Sequence, residues 1–227
     1  MIVTIDGPAG AGKSCVSRQL ARRLGFRFLD TGAMYRAVTV AAIQRAHDWS
    51  RPELLEQIAD DVRIEFRDEQ VLVDGRDVSR EIRTPEVTGL IHYAANHPGV
   101  RRRMVELQRQ VADGLDYVTE GRDQGTVVFP SAELKIFLTA TPEERARRRV
   151  AELLARGEQA SFDEVLAAQN LRDERDARRE VGPLRPAVDA VHVLTDGLTL
   201  EQVEQRLVDL VAARRAMLQQ SVERSPP

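Results

Sequence analysis

Eight residues near the start of the chain, Gly7-Pro8-Ala9-Gly10-Ala11-Gly12-Lys13-Ser14, carry the groups needed to hold a chain of phosphates. Glycines at this spacing let successive backbone N–H groups turn inward on one anion, the following helix N-terminus adds partial positive charge, and Lys13 reaches the outer phosphates. Ser14 is then placed to offer its hydroxyl to Mg²⁺. An apolar run, Ile2 to Ile5, precedes the segment and a helix-like stretch, Val16 to Leu24, follows it, the context such a cradle needs. Lysine usage points the same way. The chain holds two lysines, Lys13 and Lys135, and all its other lysine-or-arginine positions are arginine.

More cationic and acidic groups fall at the ends of later apolar runs. Asp30-Thr31-Gly32-Ala33-Met34-Tyr35-Arg36 follows the second run, so Thr31 and Arg36 project from a strand's carboxyl end, where open α/β sheets bind ligands. Arg36 there suits a second phosphate. In Glu120-Gly121-Arg122-Asp123 the glutamate ends a strand near the expected Mg²⁺, Arg122 suits a phosphate, and Asp123 suits a base amine or a ribose hydroxyl. Arg145, Arg148 and Arg149 share one helical face, as do Arg172, Arg175, Asp176 and Arg179; the competing reading for both is a salt-bridged, solvated surface. Planar guanidinium forks stabilise the charge that spreads over a migrating phosphoryl group. No Ser/His/Asp or His/carboxylate constellation stands out, which fits an acceptor that is itself an ionised phosphate and needs no general base.

The elements that must position these groups alternate β-branched runs with amphipathic helices, the pattern of a parallel sheet flanked by helices. Core strands are expected at Ile2–Asp6, Phe26–Asp30, Asp116–Glu120, Leu134–Thr139 and Val191–Thr195. Helix starts are marked by Thr141-Pro142-Glu143-Glu144, by Thr84-Pro85, and by reciprocal caps at Ser161…Glu164 and Thr199…Gln202. Arg63 to Val78 breaks the rhythm with alternation around the turns Asp68-Glu69 and Asp74-Gly75, which predicts an antiparallel ribbon inserted beside the main sheet. The polar stretch after about Met217 predicts a disordered tail.

Bulk composition bounds the function. With 227 residues the chain can bury one large core, and a formal charge of −3 gives no global field for nucleic acid or an anionic membrane. A lone cysteine, Cys15, excludes an internal disulfide and a cysteine-based zinc site and suits a reducing cytosol. At a helix N-terminus Cys15 reads either as a small core residue or as a somewhat acidic thiol shielded by whatever phosphates the loop binds. The four histidines lack metal-ligand spacing, no apolar run approaches membrane-spanning length, and the N-terminus enters a strand without a basic leader. These features predict a soluble, unprocessed cytoplasmic protein.

From Ile2 to about Ala213 the chain resembles the bacterial cytidylate kinases, within the nucleoside monophosphate kinases. The resemblance rests on Gly7 to Ser14, Asp30 to Arg36, Glu81-Ile82-Arg83-Thr84, the string Glu120 to Pro130, and Arg172-Asp173-Glu174-Arg175-Asp176 followed by Pro183-Leu184. It implies a P-loop kinase domain with a five-stranded parallel sheet. Its core would span about 1–50, 85–145 and 180–215, with a β-rich monophosphate-side insertion at about 50–84 and a mobile helical lid at about 145–180. It also implies transfer of the γ-phosphoryl of ATP to CMP and dCMP, with Mg²⁺. Carried over by position, Gly7, Pro8, Ala9, Gly10, Ala11, Gly12, Lys13, Ser14, Cys15 and Arg148 face ATP, and Arg36, Arg122 and Arg172 hold the acceptor phosphate. Thr31, Arg101 and Asp123 face cytosine, Asp176 faces the sugar, Arg148, Arg149 and Arg175 belong to the lid, and Glu120 stands behind the metal. Three positions depart from the pattern: Cys15 stands where many relatives have threonine or serine, Gln124 where methionine is usual, and His92 where a small serine is common near the base. The resemblance leaves UMP or another small acceptor as the nearest rival, and a P-loop ATPase switch as a more distant one. No helix repeats a long apolar seam, which favours a monomer, and the charge balance and short apolar runs lead us to expect no nucleic-acid or membrane partner.

Overall fold

The computed structural model describes residues 1–67 and 70–223. Its contacts divide the chain into two compact units, one made of Met1–Leu29 with the chain from Gly114 onward, the other of Asp30–Asp113. In chain order the elements are β1 (Ile2–Asp6), α1 (Lys13–Leu24), β2 (Arg27–Asp30), α2 (Thr31–Gln44), α3 (Leu54–Asp61), β3 (Ile64–Arg67), β4 (Gln70–Val73) and β5 (Arg76–Asp77). They continue with α4 (Pro85–Asn96), α5 (Pro98–Ala112), β6 (Tyr117–Gly121), β7 (Leu134–Thr139), α6 (Pro142–Ala155), α7 (Phe162–Ala177), β8 (Val191–Leu194) and α8 (Leu200–Glu223).

Among the described residues the main sheet has the order β2-β6-β1-β7-β8 and is parallel. The five expected strands form within one residue of their expected ends. Register places Asp6 opposite Gly121 of β6 on one side and Phe137 of β7 on the other, so the chain leaving β1 emerges between the carboxyl ends of two neighbours. That is where an open parallel sheet presents its loops to a ligand. Beneath the strand ends Val3, Ile5, Leu20, Val118, Ile136, Leu138, Val193 and Leu207 are all fully or nearly fully buried and form one apolar cluster.

Helix starts follow the capping signals in most places. Thr84 and Thr141 accept from the N–H groups of Val87 and Glu144, and Thr199 and Gln202 exchange a reciprocal pair of bonds. Ser161 is a correction: it occupies the cap position of α7, but its hydroxyl makes no capping bond. The tail is a second. Helix α8 runs on through Met217 to Glu223, where Gln219 and Gln220 are good helix formers and the Ser221 hydroxyl bonds back to the Met217 carbonyl at 2.9 Å. Residues 224–227 lie outside the described residues.

In the second unit α2 packs on α4 and α3 on α5, beside an antiparallel sheet of order β3-β4-β5. The expected ribbon gains a third short strand because Asp74-Gly75 turns the chain back so that Arg76 pairs with Val73. The expected turn at Asp68-Glu69 lies outside the described residues.

Leu207 ties α8 to the sheet with no exposed surface. Leu207→Ala should lower unfolding free energy by about 2–5 kcal/mol in urea denaturation; a loss below about 1 kcal/mol would show that this helix adds little to the core.

Candidate active site

Three features fix the glycine turn after β1. Gly7 has φ +152°, and a Cβ there would lie 1.9 Å from the Leu138 carbonyl oxygen of β7, so backbone must pass where no side chain fits. Gly12, with φ +87°, occupies the cap of α1 in the left-handed region. From the other side, Asp6 accepts from the N–H groups of Gln124 and Gly125 at 2.9 and 2.8 Å. Those donors open a wide turn, Gln124–Val128, in which the Phe129 N–H reaches back five residues to Gln124. Gln124, the departure from methionine, is buried and its side-chain oxygen accepts from the Thr119 hydroxyl at 2.7 Å.

Charged groups converge around this frame. Ser14 donates its hydroxyl hydrogen to Glu120 Oε1 at 2.6 Å, joining the first turn of α1 to the end of β6. Lys13 is 5 % exposed and its ammonium donates to the Pro8 carbonyl at 2.7 Å, inside its own loop. Burial is the main force pushing its pKa down to about 7; Arg122 and Arg172 push the same way, against Glu120 and Asp6. Asp6 is also out of its usual range, raised to about 6 by burial, with the two backbone N–H bonds opposing.

Arg122 and Asp176, assigned separately to a phosphate and a sugar, are partners. Arg122 Nε donates to Asp176 Oδ2 at 2.8 Å and the other carboxylate oxygen accepts from Arg179. Burial opposes ionisation of Asp176, but the Arg122 and Arg179 guanidiniums hold its pKa below the ordinary value. Arg179 is a residue sequence reasoning listed on the helical face without a role; its i, i+3 spacing from Asp176 was the available signal. Asp123 is buried at the end of β6, whereas Arg172 and Arg175 on α7 are exposed.

The arginines of α6 divide. Arg148 donates to the Thr195 hydroxyl and carbonyl at 3.0 and 2.8 Å and to Glu144 at 3.0 Å. It helps line a cavity of about 190 Å³ with Ala11, Gly12, Leu138, Thr195 and Leu198, directly beside the glycine turn. Arg149 pairs with Glu152, while Arg145 turns inward to the carbonyl of Ala9. Cys15 is exposed, which corrects the reading as a core residue: the apolar face of α1 is carried by Val16 and Leu20, leaving position 15 outward.

The second unit holds its own expected groups. Thr31 is buried at the start of α2, whose cap is Asp30 accepting from Ala33 N–H at 2.9 Å. Arg36 donates to the Ile82 carbonyl and the Thr88 hydroxyl, at 3.0 and 2.9 Å. Arg101 is 2 % exposed, donates to the Ala95 carbonyl at 3.1 Å and stands 5.4 Å over the Tyr35 ring. Exposed His92 accepts or donates at the Gly89 carbonyl through Nδ1, 2.8 Å away.

A glycine turn carrying Lys-Ser between parallel strands, with a buried carboxylate on the adjacent strand and arginines on the helices beyond, defines a P-loop kinase fold. A solved structure of an uncharacterised protein from Eubacterium ventriosum shares the fold at TM-score 0.53 and 13% identity, over 94% of this chain and 98% of that one. The family model described as cytidylate kinase matches residues 3–213, and the chain belongs to that family. A cytidylate kinase of Rhodopirellula baltica is 53% identical over 93% of this chain and 92% of its own length. One from Carboxydothermus hydrogenoformans is 46% identical over 96% and 100%. A bifunctional pantoate ligase/cytidylate kinase of a Synechococcus strain is 46% identical over 94% of this chain and 44% of its own length. Among the described residues no helix is long and apolar enough to cross a membrane, and no cluster of three or more acidic, histidine or cysteine side chains could hold a metal.

The Asp6 shift sets a pH test. With its folded pKa raised to about 6, the folded state holds this proton at pH values where the unfolded chain has lost it. The group's stabilising contribution is therefore full below about pH 4 and is lost as pH rises through 6. Thermal midpoints of wild type and Asp6→Asn should show wild type losing ground to the variant between about pH 4 and 6, with the two curves parallel above that; midpoints parallel throughout would contradict the shift.

Proposed function

We propose that this protein transfers the γ-phosphoryl group of ATP to CMP and dCMP, giving ADP with CDP or dCDP. The observation that carries the reading is the convergence of Lys13, Arg122 and Arg172 on one electrostatic neighbourhood at the glycine turn, within a chain of the cytidylate kinase family. The loop Gly7 to Ser14 takes the ATP phosphates on its N–H groups and on Lys13, which leaves the Pro8 carbonyl to meet them. The cavity beside Ala11, Gly12 and Arg148 suits the flat, largely apolar base of the donor. Arg36, Arg122 and Arg172 take the acceptor phosphate, Thr31, Arg101 and Asp123 the cytosine end, and Asp176 the sugar. Segments 50–84 and 145–180 supply the acceptor-side insertion and the lid.

The oxygen donors present fit Mg²⁺. Ser14 Oγ offers a hard ligand of the kind this ion takes, the buried Glu120 carboxylate stands behind it as its hydrogen-bond acceptor at 2.6 Å, and the ion characteristically completes its shell with water and substrate phosphates rather than with a protein cage. When bound, the ion neutralises charge on the β- and γ-phosphates. The chain's own work is positional: the loop orients the donor, the guanidiniums draw the acceptor oxygen in line, and closure excludes the water that would otherwise consume ATP. An ionised phosphate acceptor brings its own nucleophilic oxygen, so no proton need be removed by the protein.

A coupled assay with CMP, dCMP, UMP and AMP should rank CMP first; UMP or AMP in first place would refute the acceptor. Arg122→Ala should lower kcat about 10³-fold or more while the circular dichroism melt stays cooperative. Near-normal turnover would remove Arg122 from the transferring group.

A further inference from the structure

Arg145 is the most heavily tethered charged side chain in its unit that the phosphoryl-transfer reading leaves without a task. It is 4 % exposed in the first turn of α6. Nε donates to the Ala140 carbonyl at 3.1 Å, and Nη1 is shared between the Ala9 carbonyl at 3.0 Å and Asp173 Oδ2 at 2.5 Å. One guanidinium therefore touches the phosphate loop, the end of the β7 connection and α7 together. A second tie runs alongside, because Gln169 Nε2 donates to the Arg145 carbonyl at 3.3 Å and crowds Gly10, whose added Cβ would come within 3.0 Å of it.

Peptide geometry gives this arrangement a consequence. In a trans peptide the C=O and N–H point in opposite directions, so a guanidinium that holds the Ala9 carbonyl also fixes the direction of the Gly10 N–H. A phosphate accepting from that N–H polarises the same peptide, strengthens the Ala9 oxygen as an acceptor, and tightens its bond to Arg145. Asp173 passes the effect to α7, the helix that carries Arg172 and Asp176. Asp173 keeps its other oxygen, Oδ1, buried with no hydrogen-bond partner among the described residues, so its bond to Arg145 runs through Oδ2.

We propose that Arg145 is a positioning residue that couples occupancy of the phosphate loop to the placement of α7, and through it of Arg172 and Asp176. The proposal rests on the reading of the loop as the ATP site. Its neighbours on the same face do not share the role, since Arg148 is committed to Thr195 and Arg149 to Glu152.

Hydrogen exchange of the full chain, with and without a non-hydrolysable ATP analogue and Mg²⁺, tests it. In wild type the analogue should slow exchange across residues 162–177 by about 5- to 150-fold. In Asp173→Asn, whose parent side chain is 20 % exposed, the analogue should still bind with Kd within about threefold, yet the added protection of α7 should vanish. The kcat should fall about tenfold with little change in the KM for ATP. Arg145→Lys, which keeps the charge but not the planar fork, should behave the same way and serves if Asp173→Asn does not fold. A purely structural role would lower α7 protection equally with and without the analogue, and that outcome overturns the proposal. So does wild-type binding without any α7 response. Failure of wild type to bind the analogue at all would instead overturn the ATP reading itself.

Discussion

A lysine ammonium with 5 % exposure, in the field of two guanidiniums, is the interaction around which the rest of this structure is arranged. Burial alone disfavours the charged form, and like charges add to the cost, so a buried ammonium in such a field persists only where anions are brought to it. Glu120 and Asp6 oppose the downward shift at Lys13 and Asp176 pairs with Arg122, while Glu120 also accepts from Ser14 and Asp6 spans the N–H groups of Gln124 and Gly125. An ammonium and guanidiniums placed against a glycine turn rich in N–H donors suit a polyphosphate.

Sheet order makes that concentration possible. Because β1 lies between β6 and β7, its carboxyl end delivers the loop against Leu138 on one side and the Glu120–Gly125 segment on the other. Gly7 is obligatory there for a plain steric reason, and Asp6 stays at the strand end despite its raised pKa because a two-oxygen acceptor is what the paired N–H groups require. The arginines of α6 then divide: Arg145 faces the loop backbone and α7, while Arg148 faces Thr195 and the cavity.

Much of this was legible from residue order, and the reasons are local. Glycine spacing, strand ends and the threonine caps at 84, 141 and 199 are set by neighbours a few residues away, and those features formed as expected. What the chain concealed depends on distance. Helical periodicity put Arg145, Arg148 and Arg149 on one face but could not distinguish their partners, which lie at Ala9, Thr195 and Glu152. Arg122 and Asp176, 54 positions apart, looked like independent ligands and are an ion pair. Cys15 and the last turns of α8 failed for another reason: residue type alone suggested burial for the thiol and disorder for a polar tail, and helix geometry overrode both.

Proton uptake on nucleotide binding tests the central claim most directly. With its pKa near 7, Lys13 is mainly neutral at about pH 8, and phosphates entering the cluster should restore its charge by drawing a proton from solvent. Calorimetric titration of preformed MgATP at that pH, in buffers of different ionisation enthalpy, should show uptake of a substantial fraction of a proton by wild type and little by Lys13→Arg, whose side chain is charged throughout. No uptake by wild type, or equal uptake by both proteins, would contradict the account.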